Sequence, residues 1–139
     1  MARTVPVVLA TAFVISVVHY LDNFVRFHAY AKNPDTPITP ILVPVGWVVF
    51  TAAGACGYLL FRRGRTTAAA RCLAFYALSG LIGIGHYRDA PPTAFDPFQN
   101  VFIVTDIVLG LVVLVLAIRI GRPPRLTKKH HQEGDLTSP

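Results

Sequence analysis

Four long apolar runs divide the chain, at 5–25, 41–61, 68–85 and 101–120. A helix needs about 20 apolar residues to cross the hydrocarbon of a bilayer, and each run is near that length. The pattern predicts four membrane-spanning helices, near 5–31, 40–63, 67–87 and 97–120. The polar and small residues in these runs are not scattered. Ser16, His19, Asp22 or Asn23, Arg26 and Tyr30 recur every three or four positions in the first. Cys72, Tyr76, Ser79, Gly83 and His86 do the same in the third, and Gln99, Asp106 and Gly110 follow one stripe of the fourth. Residues at that spacing share a helix face. Lipid cannot satisfy a polar face, so such faces turn toward one another. The expected fold is all-α, an integral membrane four-helix bundle over 1–121, running up-down-up-down.

Local signals mark the helix ends. Asn33-Pro34 stops the first helix, because proline disfavours helix in the residue before it. Thr39-Pro40 is expected to cap and open the second, with proline where no amide donor is needed, and Gly64 to close it. Asp96-Pro97 repeats the opening device for the fourth helix, and Gly121 with Pro123-Pro124 ends it. Small residues at 52–57 (AAGACG) and at Gly80, Gly83 and Gly85 permit close helix approach. The segment 122–139 has no periodic apolar face and is expected to be a disordered, basic cytoplasmic tail. HYLD at 19–22 and HYRD at 86–89 each follow an apolar run, which hints at a duplicated hairpin.

Composition agrees with a membrane protein. Of 139 residues, 53% are hydrophobic and 14% charged, where a soluble domain carries about 25% charge. The first run is too long for a cleaved signal peptide, and no A-x-A-like site closes it. Positive charge gathers before the first run (Arg3), between the second and third (Arg62, Arg63, Arg65, Arg71) and after the fourth (Arg119, Arg122, Arg125, Lys128, Lys129). The other two connections hold Arg26, Lys32 and Arg88. Positive charge stays cytoplasmic, so both termini are expected there, in a multi-pass protein of a bacterial inner membrane. The net charge of +6 then reflects topology and attraction to anionic lipid heads at the cytoplasmic face. It does not point to nucleic acid, since no aromatic reading surface accompanies the basic residues. Cys56 and Cys72 fall at similar depths without zinc or C-x-x-C spacing and read as small packing residues near one another.

Depth narrows the candidate chemistry. At 1.5 Å per residue, His19 lies about 10 Å below the outer edge of its helix, Trp47 about 9 Å and Asp106 about 7–8 Å. His86 sits at the outer edge of the third helix. His19, Asp22, Asn23, His86 and Asp106 thus fall in the outer half of the membrane, which implies one polar pocket open to the extracytoplasmic side. Asp106 is the sharpest residue, because an aspartate inside the bilayer costs about 2.5–3.5 kcal/mol on insertion scales. It reads either as a metal ligand, proton carrier or counter-ion, or as a packing residue bonded to His19, Arg26 or Asn23. His19, Asp22, His86 and Asp106 together would make a two-histidine, two-carboxylate metal set from three helices. The bland alternative is an Asp22–Arg26 pair at i, i+4 with a histidine bonded to a neighbour's carboxylate. His19 and His86 as axial ligands of a b-type haem is a further option, and needs them level on facing helices.

HYLDNFVRF in the first helix, GWVVFTAAGACGYLLFRRGR across the second, GHY at the end of the third and FQNVFIVTDIVLG in the fourth resemble small four-helix bacterial inner-membrane proteins of no assigned activity. The resemblance implies topology and no reaction. The expected function is a ligand, metal or proton site built on His19, Asp22, Asn23, Arg26, His86 and Asp106, with Trp47 near it, for a lipid-like or quinone-like ligand. Two other readings compete. One is an accessory subunit whose polar residues only fix packing, in a homo-oligomer or a larger membrane complex. The other is a membrane-embedded enzyme acting on a lipid-like substrate.

Overall fold

The computed structural model describes residues 3–31 and 39–122. The expected tail at 122–139, apart from Arg122, and the Asn33-Pro34 stop lie outside these residues. Among the described residues all regular structure is helical. The elements are α1 (Thr4–Val25), α2 (Phe27–Tyr30), α3 (Leu42–Arg62), α4 (Thr66–Leu81), α5 (Ile84–Asp89), a single 3₁₀ turn (Pro92–Ala94) and α6 (Pro97–Gly121). α1, α3, α4 continued by α5, and α6 are each long and apolar enough to cross a membrane. Their outward surfaces carry Val, Leu, Ile and Phe, among them Val7, Leu21, Val48, Leu59, Phe75 and Val108. A large apolar exterior of this kind has no place in water, and the chain is a multi-pass membrane protein.

The first predicted helix is broken at Arg26, which leaves helical geometry at φ −106°, ψ 35°. The break has a physical reason. Tyr30 follows Asp22 by eight positions, about 12 Å along an unbroken helix, yet its hydroxyl donates to Asp22 Oδ2 at 2.6 Å. Only a chain that turns after Val25 brings Tyr30 back to that carboxylate. The third predicted helix also has a joint. Gly83 and His86 donate to carbonyls three residues back, at 3.0 and 3.1 Å, so the backbone tightens between α4 and α5.

Two of the predicted end signals behave differently. Asp96 caps α6 through its side chain while Gln99 returns the bond to the Asp96 amide, a complete capping box with Pro97 in the first turn. Thr39-Pro40 does not cap α3: the helix begins two residues later, after a turn in which Leu42 donates to the Thr39 carbonyl at 3.0 Å. At the other end of α3, Gly64 takes φ +73°. The Arg65 amide then reaches the Leu60 carbonyl at 3.0 Å and the Gly64 amide the Phe61 carbonyl at 3.0 Å, which satisfies carbonyls the helix end leaves open.

α4 is the most enclosed helix and packs most extensively on α6, then on α3; α1 lies against α6 and, less extensively, α3. Contact between α4 and α6 depends on missing side chains. A Cβ on Gly80 would strike the Asp106 carbonyl, and one on Gly110 would come within 2.9 Å of the Ala77 carbonyl. One core joins Val5, Ala12, Leu73, Tyr76, Val113 and Ile120; a smaller one joins Tyr30, Phe95 and Ile103. α3 is the loosest span, with 11% of its apolar window buried against 39% for the α4–α5 span. Its buried residues are Gly54 and Gly57, both in the half toward Arg62. The cysteines do meet, Sγ to Sγ at 3.9 Å. They are not buried as expected, since Cys56 is exposed and Cys72 half-buried.

Candidate functional site

The polar stripes predicted for α1, α4 and α6 converge. Ser16, His19, Tyr76, Ser79, Gln99 and Asp106 are all buried. At their centre His19 Nδ1 and Asp106 Oδ2 are 2.7 Å apart, with both residues 3% exposed. A carboxylate accepts only, so with Asp106 ionised the imidazole proton sits on Nδ1. The bond orients the ring and leaves Nε2 buried without a partner among the described residues.

His19 also lines a cavity. His19, Tyr20, Asn23, Tyr30, Ser79, His86 and Asp89 form the polar part of the wall of a hollow of about 310 Å³, and Leu42, Val43, Phe50 and Ile82 form much of the rest. The volume is at the lower end for small-molecule sites, and a mostly apolar wall with a few placed polar groups is their usual character. The walls come from α1, α2, α3, α4 and α5. Tyr20 donates to the Ser79 carbonyl at 3.1 Å. Asn23 Nδ2 and His86 Nε2 are 3.3 Å apart; with the amide donating, that nitrogen of His86 accepts. The rings of His19 and His86 lie 6.1 Å apart, and Tyr30 packs 5.9 Å from the first and 5.2 Å from the second.

A separate ionic cluster closes this end of the molecule. Arg26 bonds both oxygens of Asp22, at 2.8 and 2.7 Å, and Asp96 Oδ2 at 2.8 Å. The Asp22 bond, with the Asp96 bond added, raises the Arg26 guanidinium above its ordinary value. The Gln99 amide, with Arg26 added, holds the Asp96 carboxyl below the usual carboxylate range. Burial, followed by the bond to Asp22, pushes the Tyr30 phenol above its ordinary range. Tyr30 therefore stays a neutral donor that ties α2 across the mouth of the cavity.

The seven residues singled out in the sequence thus separate. His19 pairs with Asp106, Asn23 with His86, and Asp22 with Arg26. Trp47 lies apart from this cavity: its indole donates to Ser16 Oγ at 3.2 Å and its ring packs 5.8 Å from Phe13. The predicted four-ligand metal set is not assembled. Among the described residues no three His, Cys, Asp or Glu side chains converge to hold a metal, because Asp22 is committed to Arg26 and Tyr30. The haem reading does not fit either. The two histidine rings are inclined at 58° with Tyr30 packed against both, and His86 Nε2 faces Asn23, which leaves no slot for a porphyrin between them.

Sequence reasoning missed Tyr20 and Ser79 as wall residues and Asp96 as the second partner of Arg26. The Tyr20 ring alternates with His19 along α1, a position that reads as lipid-facing, and Asp96 reads only as a cap. A second hollow of about 350 Å³, lined by Pro6, Leu9, Phe13, Gly54, Tyr58 and Tyr76 among others, is larger but almost wholly apolar. No protein-family model matches the chain, and no curated protein or solved structure is significantly similar to it.

Proposed function

We propose that the protein binds a small ligand in the His19 cavity and exchanges a proton with it through the His19–Asp106 pair. One observation carries this reading: a buried imidazole held at 2.7 Å by a buried carboxylate, its other nitrogen without a partner among the described residues, in a side chain that lines a cavity. A neutral Nε2 takes a proton from a ligand hydroxyl, and the imidazolium so formed is stabilised by Asp106 at once. A pair serving only to fix packing has no need of a hollow beside it. In this reading the chain is an up-down-up-down bundle in a bacterial inner membrane, with both termini cytoplasmic, akin to the small four-helix inner-membrane proteins its motifs resemble. The cavity then opens in the outer leaflet. Charge supports that orientation: an up-down-up-down path puts Arg3, Arg62, Arg63, Arg65, Arg119 and Arg122 at one end and leaves Arg26 and Arg88 at the other, where Arg26 is paired with Asp22 and Asp96.

Organic extraction of protein purified from its own membranes tests the reading. Wild type should yield one equivalent of a small organic molecule, and His19→Gln should yield none. A wild type that carries nothing, and that no fraction of the membrane extract stabilises against heat, would leave the accessory-subunit reading in its place. Orientation is tested by a fluorescent reporter fused after Pro139, and by a cysteine at the exposed Arg88 position labelled with an impermeant maleimide. The reporter should fluoresce from the cytoplasm and the cysteine should label from outside; the reverse pattern inverts the topology.

A further inference from the structure

The seam between α1 and α3 leads to the same cavity from the side. The half of α3 near Leu42 is the less enclosed one: the buried residues of the helix, Gly54 and Gly57, lie in the other half, and this half touches its neighbours through Trp47 against Ser16 and Phe13 and Phe50 against Phe75. Leu42, Val43, Gly46 and Phe50, at helical spacing, present one wall of the His19 cavity. An added Cβ at Gly46 would meet nothing within 4 Å. On the opposite side of the seam a second hollow of about 200 Å³ is formed by Val17, Tyr20, Leu21, Phe24, Pro44 and Trp47. Leu21 and Phe24 are exposed on the membrane-facing surface. Tyr20 lines both hollows, and its hydroxyl donates to the Ser79 carbonyl. The Trp47–Ser16 bond closes the seam at its narrower end.

We propose that the ligand is a bilayer-dissolved amphiphile bearing a hydroxyl head, and that it reaches His19 laterally between α1 and α3, past Tyr20. This rests on reading the His19–Asp106 pair as a ligand site. The hydroxyl follows from the tautomer, because His19 Nε2 accepts while Nδ1 is donated to Asp106. The apolar body follows from the wall, where aliphatic and aromatic carbon surrounds the few polar groups. The lateral route follows from the apolar hollow, which offers nothing to a water-borne solute and continues the bilayer's interior up to Tyr20.

The test uses the full chain in lipid nanodiscs at about pH 8, where an unperturbed imidazole is neutral. Binding is followed through the emission of Trp47, the single tryptophan, and through unfolding temperature. The probes are decylubiquinol and geranylgeraniol, which carry the hydroxyl on a ring and on a chain. Their counterparts without a donor are decylubiquinone and geranylgeranyl acetate, and hydroquinone is the water-soluble control. At least one hydroxyl probe should bind saturably, about tenfold or more tighter than its donorless counterpart. Gly46→Leu, whose Cβ meets nothing within 4 Å and whose side chain extends the cavity wall, should weaken it by about tenfold or more with its own unfolding temperature unchanged. Val43→Phe on the same wall serves if Gly46→Leu misfolds. Donorless probes that bind equally, or cavity-filling variants that bind like wild type, overturn the proposal. If hydroquinone binds in a His19-dependent way while the chain-bearing probes do not, the lateral route falls and the His19 site stands. If no probe binds, the hydroxyl-amphiphile class falls, whatever the membrane extract contains.

Discussion

His19 and Asp106 stand 87 positions apart and meet at 2.7 Å, tying α1 to α6 inside the bundle. Their bond has two consequences, one for stability and one for chemistry. Removing one partner strands the other in a medium that offers no water.

Asp106→Leu leaves the His19 Nδ1–H without an acceptor, which costs about 1–3 kcal/mol for a buried donor. His19→Leu leaves the carboxylate unpaired and should cost at least as much. The double variant strands nothing, so it should be more stable than the sum of the two losses predicts, by about 1–2 kcal/mol at the scale of hydrogen bonds between membrane helices. Reversible unfolding of the four proteins in mixed micelles gives this coupling directly. Additive losses would mean that the two side chains do not bond in the folded protein.

The sequence made much of this legible. Four helices follow from run length, and the inward turn of Ser16, His19, Tyr76, Ser79, Gln99 and Asp106 follows from spacing of three and four. His19 was among the partners open to Asp106, and the Asp22–Arg26 pair is the one i, i+4 geometry favours. Contacts that need the chain to leave a regular helix were not legible. Tyr30 meets Asp22 only because the backbone turns at Arg26, and Arg26 meets Asp96 across 70 positions. The expectation for Trp47 failed for a related reason. Depth along α3 was right for the pocket, but the rotation of α3 is set by Gly54 and Gly57 against α4, which turns Trp47 to the seam. The metal set failed because ligand types were counted without asking which carboxylates other groups had already claimed.

Helix packing makes a sharp contrast between two glycines. At Gly80 any side chain meets the backbone of α6 at Asp106, whereas at Gly46 it meets open space. Gly80→Ala should therefore lower stability by about 1–3 kcal/mol or more, the cost of overpacking against backbone that cannot rotate away. Gly46→Ala should be neutral or gain up to about 1 kcal/mol from helix propensity. Thermal unfolding of both variants decides the matter, and equal effects would contradict the close approach of α4 to α6.

The ionic cluster at the end of α6 predicts a pH dependence with a definite sign. Asp96 has a folded pKa below its unfolded value, through the Gln99 amide first and Arg26 after it. The unfolded chain therefore binds more protons in that window, and the stabilisation is present above about pH 4 and lost as pH falls through the folded value. Asp96→Asn keeps an acceptor for the helix end and removes the charge that Arg26 meets. Wild type should thus be the more stable protein at about pH 6, and the gap should narrow below about pH 4. A gap that stays constant down to about pH 2 would show that the Asp96 charge contributes nothing.

The two thiols offer a check on how α3 sits against α4. Cys56 Sγ and Cys72 Sγ are 3.9 Å apart with no bond between them. A disulfide needs its sulfurs at about 2.05 Å and its Cβ atoms at about 3.5–4.5 Å. Modest rotation of two side chains meets that requirement only if the helices hold this register. Copper–phenanthroline, with dissolved oxygen accepting the electrons, should remove the two thiol hydrogens and join the sulfurs within one chain. Intact mass should fall by two hydrogens, maleimide labelling should vanish, and mild reductant should restore both. Thiols that stay free under conditions oxidising a positive control, or that link only between chains, would mean that α3 and α4 do not face each other through these positions. The loose half of α3 beside the His19 cavity would then lose the fixed half that defines it.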